Sequence, residues 1–150
     1  MIFNGRFHFM CESTFQADAV ALAFQERSSF HLGGVIMTDN ILVELSMDFS
    51  VKIVNLCDSI KGKSVLTNQL LRSATSIGAN VHEANYAQSR PDFISKMQIA
   101  LKECYETEYW LKLFVKTGII SEETYNKLKG CCGKIRKILI SSINTAKSNS

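Results

Sequence analysis

From Asp39 onward apolar residues recur at intervals of three and four. Ile41, Leu42, Leu45, Phe49, Ile53, Leu56 and Ile60 form the first such run. It predicts a helix over about residues 39 to 60 with one buried stripe, capped at Thr38-Asp39. "KGKS" at 61–64 ends it, with Gly62 suited to a left-handed C-terminal position. A second helix is predicted over about 64 to 86 from Leu66, Leu70, Ile77, Val81 and Ala84. In the loop "AQSRPD", Ser89 is a good N-cap, Pro91 fits a first turn and Asp92 complements the helix dipole. The third helix then spans about 91 to 117, with Phe93, Met97, Ala100, Leu101, Cys104, Leu111 and Val115 on its stripe. "KTGIISEET" is the next turn: Gly118 stops one helix, and Ser121 caps another with Glu122 and Glu123 in its first turn. The fourth spans about 121 to 146 through Tyr125, Leu128, Ile135, Ile138, Leu139 and Ile143. Gly130 and Gly133 should weaken or bend it. Four amphipathic helices joined by short turns predict an all-α fold, an antiparallel up-down-up-down four-helix bundle.

Residues 1–36 do not share this pattern. Phe3, Phe7, Phe9, Phe15, Phe24 and Phe30 follow no sustained period, and Gly33-Gly34 breaks whatever precedes it. Arg6 is present, but Glu12, Asp18 and Glu26 interrupt any signal-peptide pattern. The favoured division is a poorly structured leader or reading-frame extension over 1–36, with the bundle over 37–150. The rival is an N-terminal arm that docks on the body or a partner.

The second helix carries a run of small residues, Ser73, Ala74, Thr75, Ser76, Gly78 and Ala79. At 100° per residue, Arg72, Ser76, Ala79 and Glu83 share the face opposite the apolar stripe. Small side chains let two backbones approach, so these four are a candidate second packing surface. The bland alternative is an exposed alanine-rich side.

Composition narrows the partners. The chain has 150 residues, a single proline (Pro91) and a formal charge of +3. Such a charge permits a polyanionic partner without requiring one. No stretch is long and apolar enough to span a bilayer, so no membrane role is expected. Five cysteines (Cys11, Cys57, Cys104, Cys131 and Cys132), an odd count with no CxxC, point to reduced thiols in a cytoplasm. Cys57 and Cys104 fall on apolar faces and read as core.

Charge concentrates at the C-terminal end. Lys127, Lys129, Lys134, Arg136 and Lys137, followed by Lys147, crowd the fourth helix, with no acidic residue after Glu123. The first five are the candidate nucleic-acid contacts, since phosphate backbones are bound by summed cationic contacts. The competing reading is a solvated face that complements its own C-terminal dipole. No helix-turn-helix and no aromatic platform are legible, so little sequence preference is expected. Glu108 lies within the apolar stripe of the third helix and needs a donor. Arg72, Asn80 and His82 of the second helix are the candidates. His82 stands alone, and there is no phosphate-cradling glycine loop and no ExxH pair. No catalysis, metal or cofactor is expected.

The runs "NQLLRSATSIGANVHEAN", "DFISKMQIALKECYETEYWLKLF" and "KILISSINTAK" resemble a family of small four-helix bundles encoded by intervening sequences within bacterial large ribosomal RNA. They are also similar to the accessory variability determinant of diversity-generating retroelements. The resemblance covers nearly all of residues 37–148 and none of the first 36. It implies a non-enzymatic homo-oligomeric ring, typically a pentamer, with RNA or DNA and a reverse transcriptase as potential partners. It also implies that the small-residue face of the second helix lies near a subunit interface. One departure is visible: His82-Glu83-Ala84 stands where the family usually reads alanine-glutamate-glycine, so the usual glycine break is missing.

Overall fold

The computed structural model describes residues 41–148, so the expected leader and the cap at Thr38-Asp39 lie outside the described residues. Four helices follow in order: α1 (Ile41–Ser59), α2 (Ser64–Ala84), α3 (Arg90–Lys116) and α4 (Glu122–Ser148). No strand occurs among the described residues.

The turn chemistry explains where the helices stop. Gly62 and Gly118 adopt φ of 74° and 70°, the left-handed region that a residue with a Cβ enters at a cost. Ser89 caps α3 by accepting from the Asp92 amide at 3.3 Å, while the Asp92 carboxylate accepts from the Gln88 amide at 3.1 Å. Ser121 caps α4 by accepting from the Thr124 amide at 3.2 Å. α2 ends without a glycine. The amides of Asn85, Tyr86 and Ala87 bond to the carbonyls of His82, Glu83 and Ala84, a tightened last turn that does the work of the missing break. α4 runs continuously through Gly130 and Gly133. Twenty-seven residues of helix, held along one face, tolerate about 1 kcal/mol per glycine.

The helix senses can be read from the pairs that meet. Across α1 and α2, Cys57 donates to the Thr67 carbonyl at 3.6 Å and Ser50 to the Ala74 carbonyl at 3.5 Å, while Ser46 faces Gly78. Across α2 and α3, Arg72 meets Glu106, Ser73 meets Thr107 and Glu83 meets Lys96. From α1 to α2 rising numbers meet falling ones, and on α3 the partner of Glu83 precedes the partners of Arg72 and Ser73, so in both cases the neighbours are antiparallel. Each helix packs on the next in sequence, α4 closes more sparsely onto α1, and the diagonal pairs do not approach.

The core follows the predicted stripes. Phe49, Ile53, Leu70, Ile77, Leu111, Ile135 and Leu139 are essentially fully buried. Each large side chain withdrawn from water contributes about 1.5–3 kcal/mol. The edges of the stripes differ from expectation. Ile41 is exposed at the start of α1, and Leu45, Leu56 and Ile60 are half-buried flanks. Phe114, Thr107 and Cys132 are fully buried although the stripes omitted them.

Candidate functional site

The small residues of α2 serve the bundle first. Ser73 is fully buried and its hydroxyl accepts from Thr107 of α3 at 3.0 Å. Ala74 is fully buried toward α1, and a Cβ at Gly78 would stand 3.5 Å from the Ser50 hydroxyl. Three of the six small positions are thus spent on close packing within the chain. The four candidate interface residues divide. Arg72 and Glu83 reach sideways to Glu106 and Lys96 of α3, pinning the face at both ends. Ser76 is half-buried and Ala79 is exposed. What α2 leaves outward is therefore a narrow strip centred on Ala79.

Beside that strip α1 has an apolar outer face. Met47, Val51 and Val54 are 58%, 50% and 38% exposed. The register that sets Ser46 against Gly78 and Ser50 against Ala74 runs these three residues alongside the same stretch of α2.

The five basic candidates on α4 spread over its whole outer arc. Lys127, Lys129, Lys134 and Lys137 are exposed. Lys127 pairs with Glu123 one turn earlier at 2.7 Å, and this holds the Glu123 carboxyl below its ordinary range. Lys129 lies over the Tyr125 ring, 5.4 Å from its centroid. Arg136 is different in kind. Its Nε donates to Glu108 of α3 at 3.0 Å, and its guanidinium lies 5.6 Å from the Tyr105 ring centroid. It is half-buried and structural.

This overturns the expected partners of Glu108. Arg72, Asn80 and His82 belong to α2, on the far side of α3 from Glu108. Arg72 bonds to Glu106, and Asn80 donates to the Ser76 carbonyl. Glu108 faces α4, so its donor had to come from there.

Sequence reading also missed Tyr105 and Tyr109. They are 51% and 60% exposed, one turn apart on α3, and the edge-on contact of Tyr109 with Trp110 is 5.0 Å between centroids. The available signal was their i, i+4 spacing, but only the fold places Tyr105 beside the basic helix.

Cys57, Cys104 and Cys132 are buried thiols. The Cys104 thiol is pushed far up by its hydrogen bond with Cys132 and then by burial, and burial raises Cys57 likewise. Such thiols are inert. A cavity of about 540 Å³ lies where the turns at 60–63 and 117–121 meet, lined by Ile60, Ile120, Lys61, Lys63 and Ser121 among others. No carboxylate, histidine or cysteine lines it. No described helix is long and apolar enough to cross a membrane.

These features define a class, an all-α bundle whose distinctive groups lie on its outer faces. The chain belongs to the 23S rRNA-intervening sequence protein family, whose model matches residues 38–141. Among solved structures it is similar to a protein of unknown function from the S23 ribosomal protein family of Bacteroides thetaiotaomicron. The two are 48% identical, with a TM-score of 0.66, over 68% of this chain and 97% of that one. No curated protein matches.

Proposed function

We propose that the protein is a non-enzymatic, cytoplasmic accessory factor that assembles with copies of itself and binds RNA or DNA through the basic surface of α4. The observation that carries the reading is the outer arc of α4. Its exposed lysines span the helix, and no acidic residue follows Glu123. The ion pair of Lys127 does not count against it, because an exposed pair is weak and opens readily to a phosphate. Self-assembly is supported by the apolar strip of Met47, Val51 and Val54 beside exposed Ala79. A ring, typically a pentamer, is what the family resemblance implies.

The second reading is a protein-interaction module, with a reverse transcriptase among the partners the resemblance suggests. The same apolar strip on α1 is the observation that favours it. Two measurements separate the readings. Fluorescence anisotropy with structured RNA and duplex DNA over a salt series should show binding that weakens steeply with salt and is reduced in Lys134→Gln/Lys137→Gln. Light scattering should show an oligomer that Ala79→Trp or Val51→Glu dissociates without loss of helicity. A stable oligomer that binds no nucleic acid at low salt would leave the interaction module.

A further inference from the structure

We propose that Tyr105 and Tyr109 form a stacking platform that gives the protein a preference for single-stranded nucleic acid. This rests on the reading above that α4 contacts nucleic acid, and it names the form of that ligand.

Both rings are more than half exposed, at 51% and 60%, on a helix whose other large apolar groups are mostly withdrawn. An exposed aromatic pair beside cations is the combination by which proteins hold unpaired bases. The ring takes the base, and the cations take the flanking phosphates. The fold assembles both halves. On a helical wheel at 100° per residue, Tyr105, Tyr109, Lys112 and Lys116 fall in one strip about 60° wide. The strip lies on the outer side of α3, and its Tyr105 end adjoins α4, from which Arg136 reaches across to the Tyr105 ring at 5.6 Å. Lys129, seated on Tyr125, supplies a second cation from α4 on the side of that helix that Arg136 also occupies.

Spacing and rigidity favour single strands. Residues four apart on a helix are separated by about 6 Å along its axis. Duplex strands advance about 3.4 Å per nucleotide, so the two rings suit bases drawn apart, as an extended strand presents them. The platform is also braced. Tyr109 contacts Trp110 edge-on, and the Trp110 indole donates to Glu106 at 3.4 Å. Glu108, the carboxylate between the two tyrosines in sequence, is engaged by Arg136.

The test uses the full chain in its native assembly. Fluorescein-labelled single-stranded RNA and DNA 12-mers and the matching duplex are titrated by anisotropy. They are compared in wild type, Tyr105→Leu/Tyr109→Leu and Tyr105→Phe/Tyr109→Phe, with circular dichroism and light scattering on each variant. The expected result is tighter binding of the single strands. The leucine pair should weaken that binding about tenfold or more, leave duplex binding and its salt slope unchanged, and leave the assembly intact. The phenylalanine pair, which keeps the rings, should bind as wild type, and ultraviolet crosslinks to the single strand should map to residues 105 and 109. Unchanged single-strand affinity in the leucine pair would overturn the proposal. So would equal weakening toward duplex, or dissociation of the oligomer. Wild type that binds neither single strand nor duplex would instead remove the nucleic-acid reading itself.

Discussion

Arg136 of α4 donates a hydrogen bond to Glu108 of α3 at 3.0 Å, with only 31% and 25% of the two side chains left exposed. The pair fastens two helices at a point where the carboxylate lies next to the core. Arg136→Met should cost about 1–3 kcal/mol, because Glu108 keeps its desolvation and loses its donor. Adding Glu108→Met should recover part of the loss. A double-mutant cycle by chemical denaturation measures the coupling. Equal, additive losses would show that the two side chains act independently. For binding studies Arg136 is therefore a poor probe, and Lys134 and Lys137 are cleaner ones.

Gly78 should accept alanine. The added Cβ would meet the Ser50 and Ser46 hydroxyls at 3.5 and 3.6 Å, ordinary contact distances. Helix propensity then favours the variant by roughly 0.5–1 kcal/mol. Gly78→Leu should instead separate α1 from α2. Thermal melts of the two variants should move in opposite directions, and a lower Tm for alanine would mean that α1 sits closer than described.

Glu103 gives a pH dependence. Burial, and then the neighbouring Glu106 carboxylate, hold its carboxyl above the ordinary value near 4.5. A carboxyl raised on folding contributes stability at pH below its unfolded value, and that contribution is lost as pH rises through the folded value. Glu103→Gln should therefore match wild type near pH 3 and gain slightly at pH 7. Melting curves at the two pH values check the sign, and a variant less stable at pH 7 would reverse it.

Alkylation should rank the thiols. Cys131 is half-buried, with the Lys52 ammonium 3.7 Å from its sulfur, whereas Cys57, Cys104 and Cys132 are buried. Among the four described thiols, iodoacetamide followed by mass spectrometry should find Cys131 modified first, and Cys57, Cys104 and Cys132 only after denaturant is added. Modification of Cys104 and Cys132 together with Cys131 would mean that the α3–α4 seam opens in the native state.

The local part of this architecture was legible. Stripes at three and four, Ser89 and Ser121 as caps, and Gly62 and Gly118 as stops each depend on neighbours a few residues away, and the fold keeps them all. Partnership across helices was not legible. A helical wheel shows that Glu108 needs a donor but not which helix lies against that side, so Arg136 reads as a nucleic-acid contact and the donor is expected on α2. Ser73, Ala74 and Gly78 raise the same difficulty, since a small residue fits a contact within the chain as well as one between chains. Tyr105 takes its cationic neighbour from α4, which the local pattern of α3 does not reveal.

The sparse closure between α1 and α4 bears on how the chain reaches its fold. The other three pairings join consecutive helices, so they can form as hairpins with little loop entropy to overcome. Only the last seam joins segments distant in sequence, and it brings few contacts in return. The expected order is a hairpin-by-hairpin collapse in which α1 and α4 meet late, with α1 also the first element to exchange its amides from the native state.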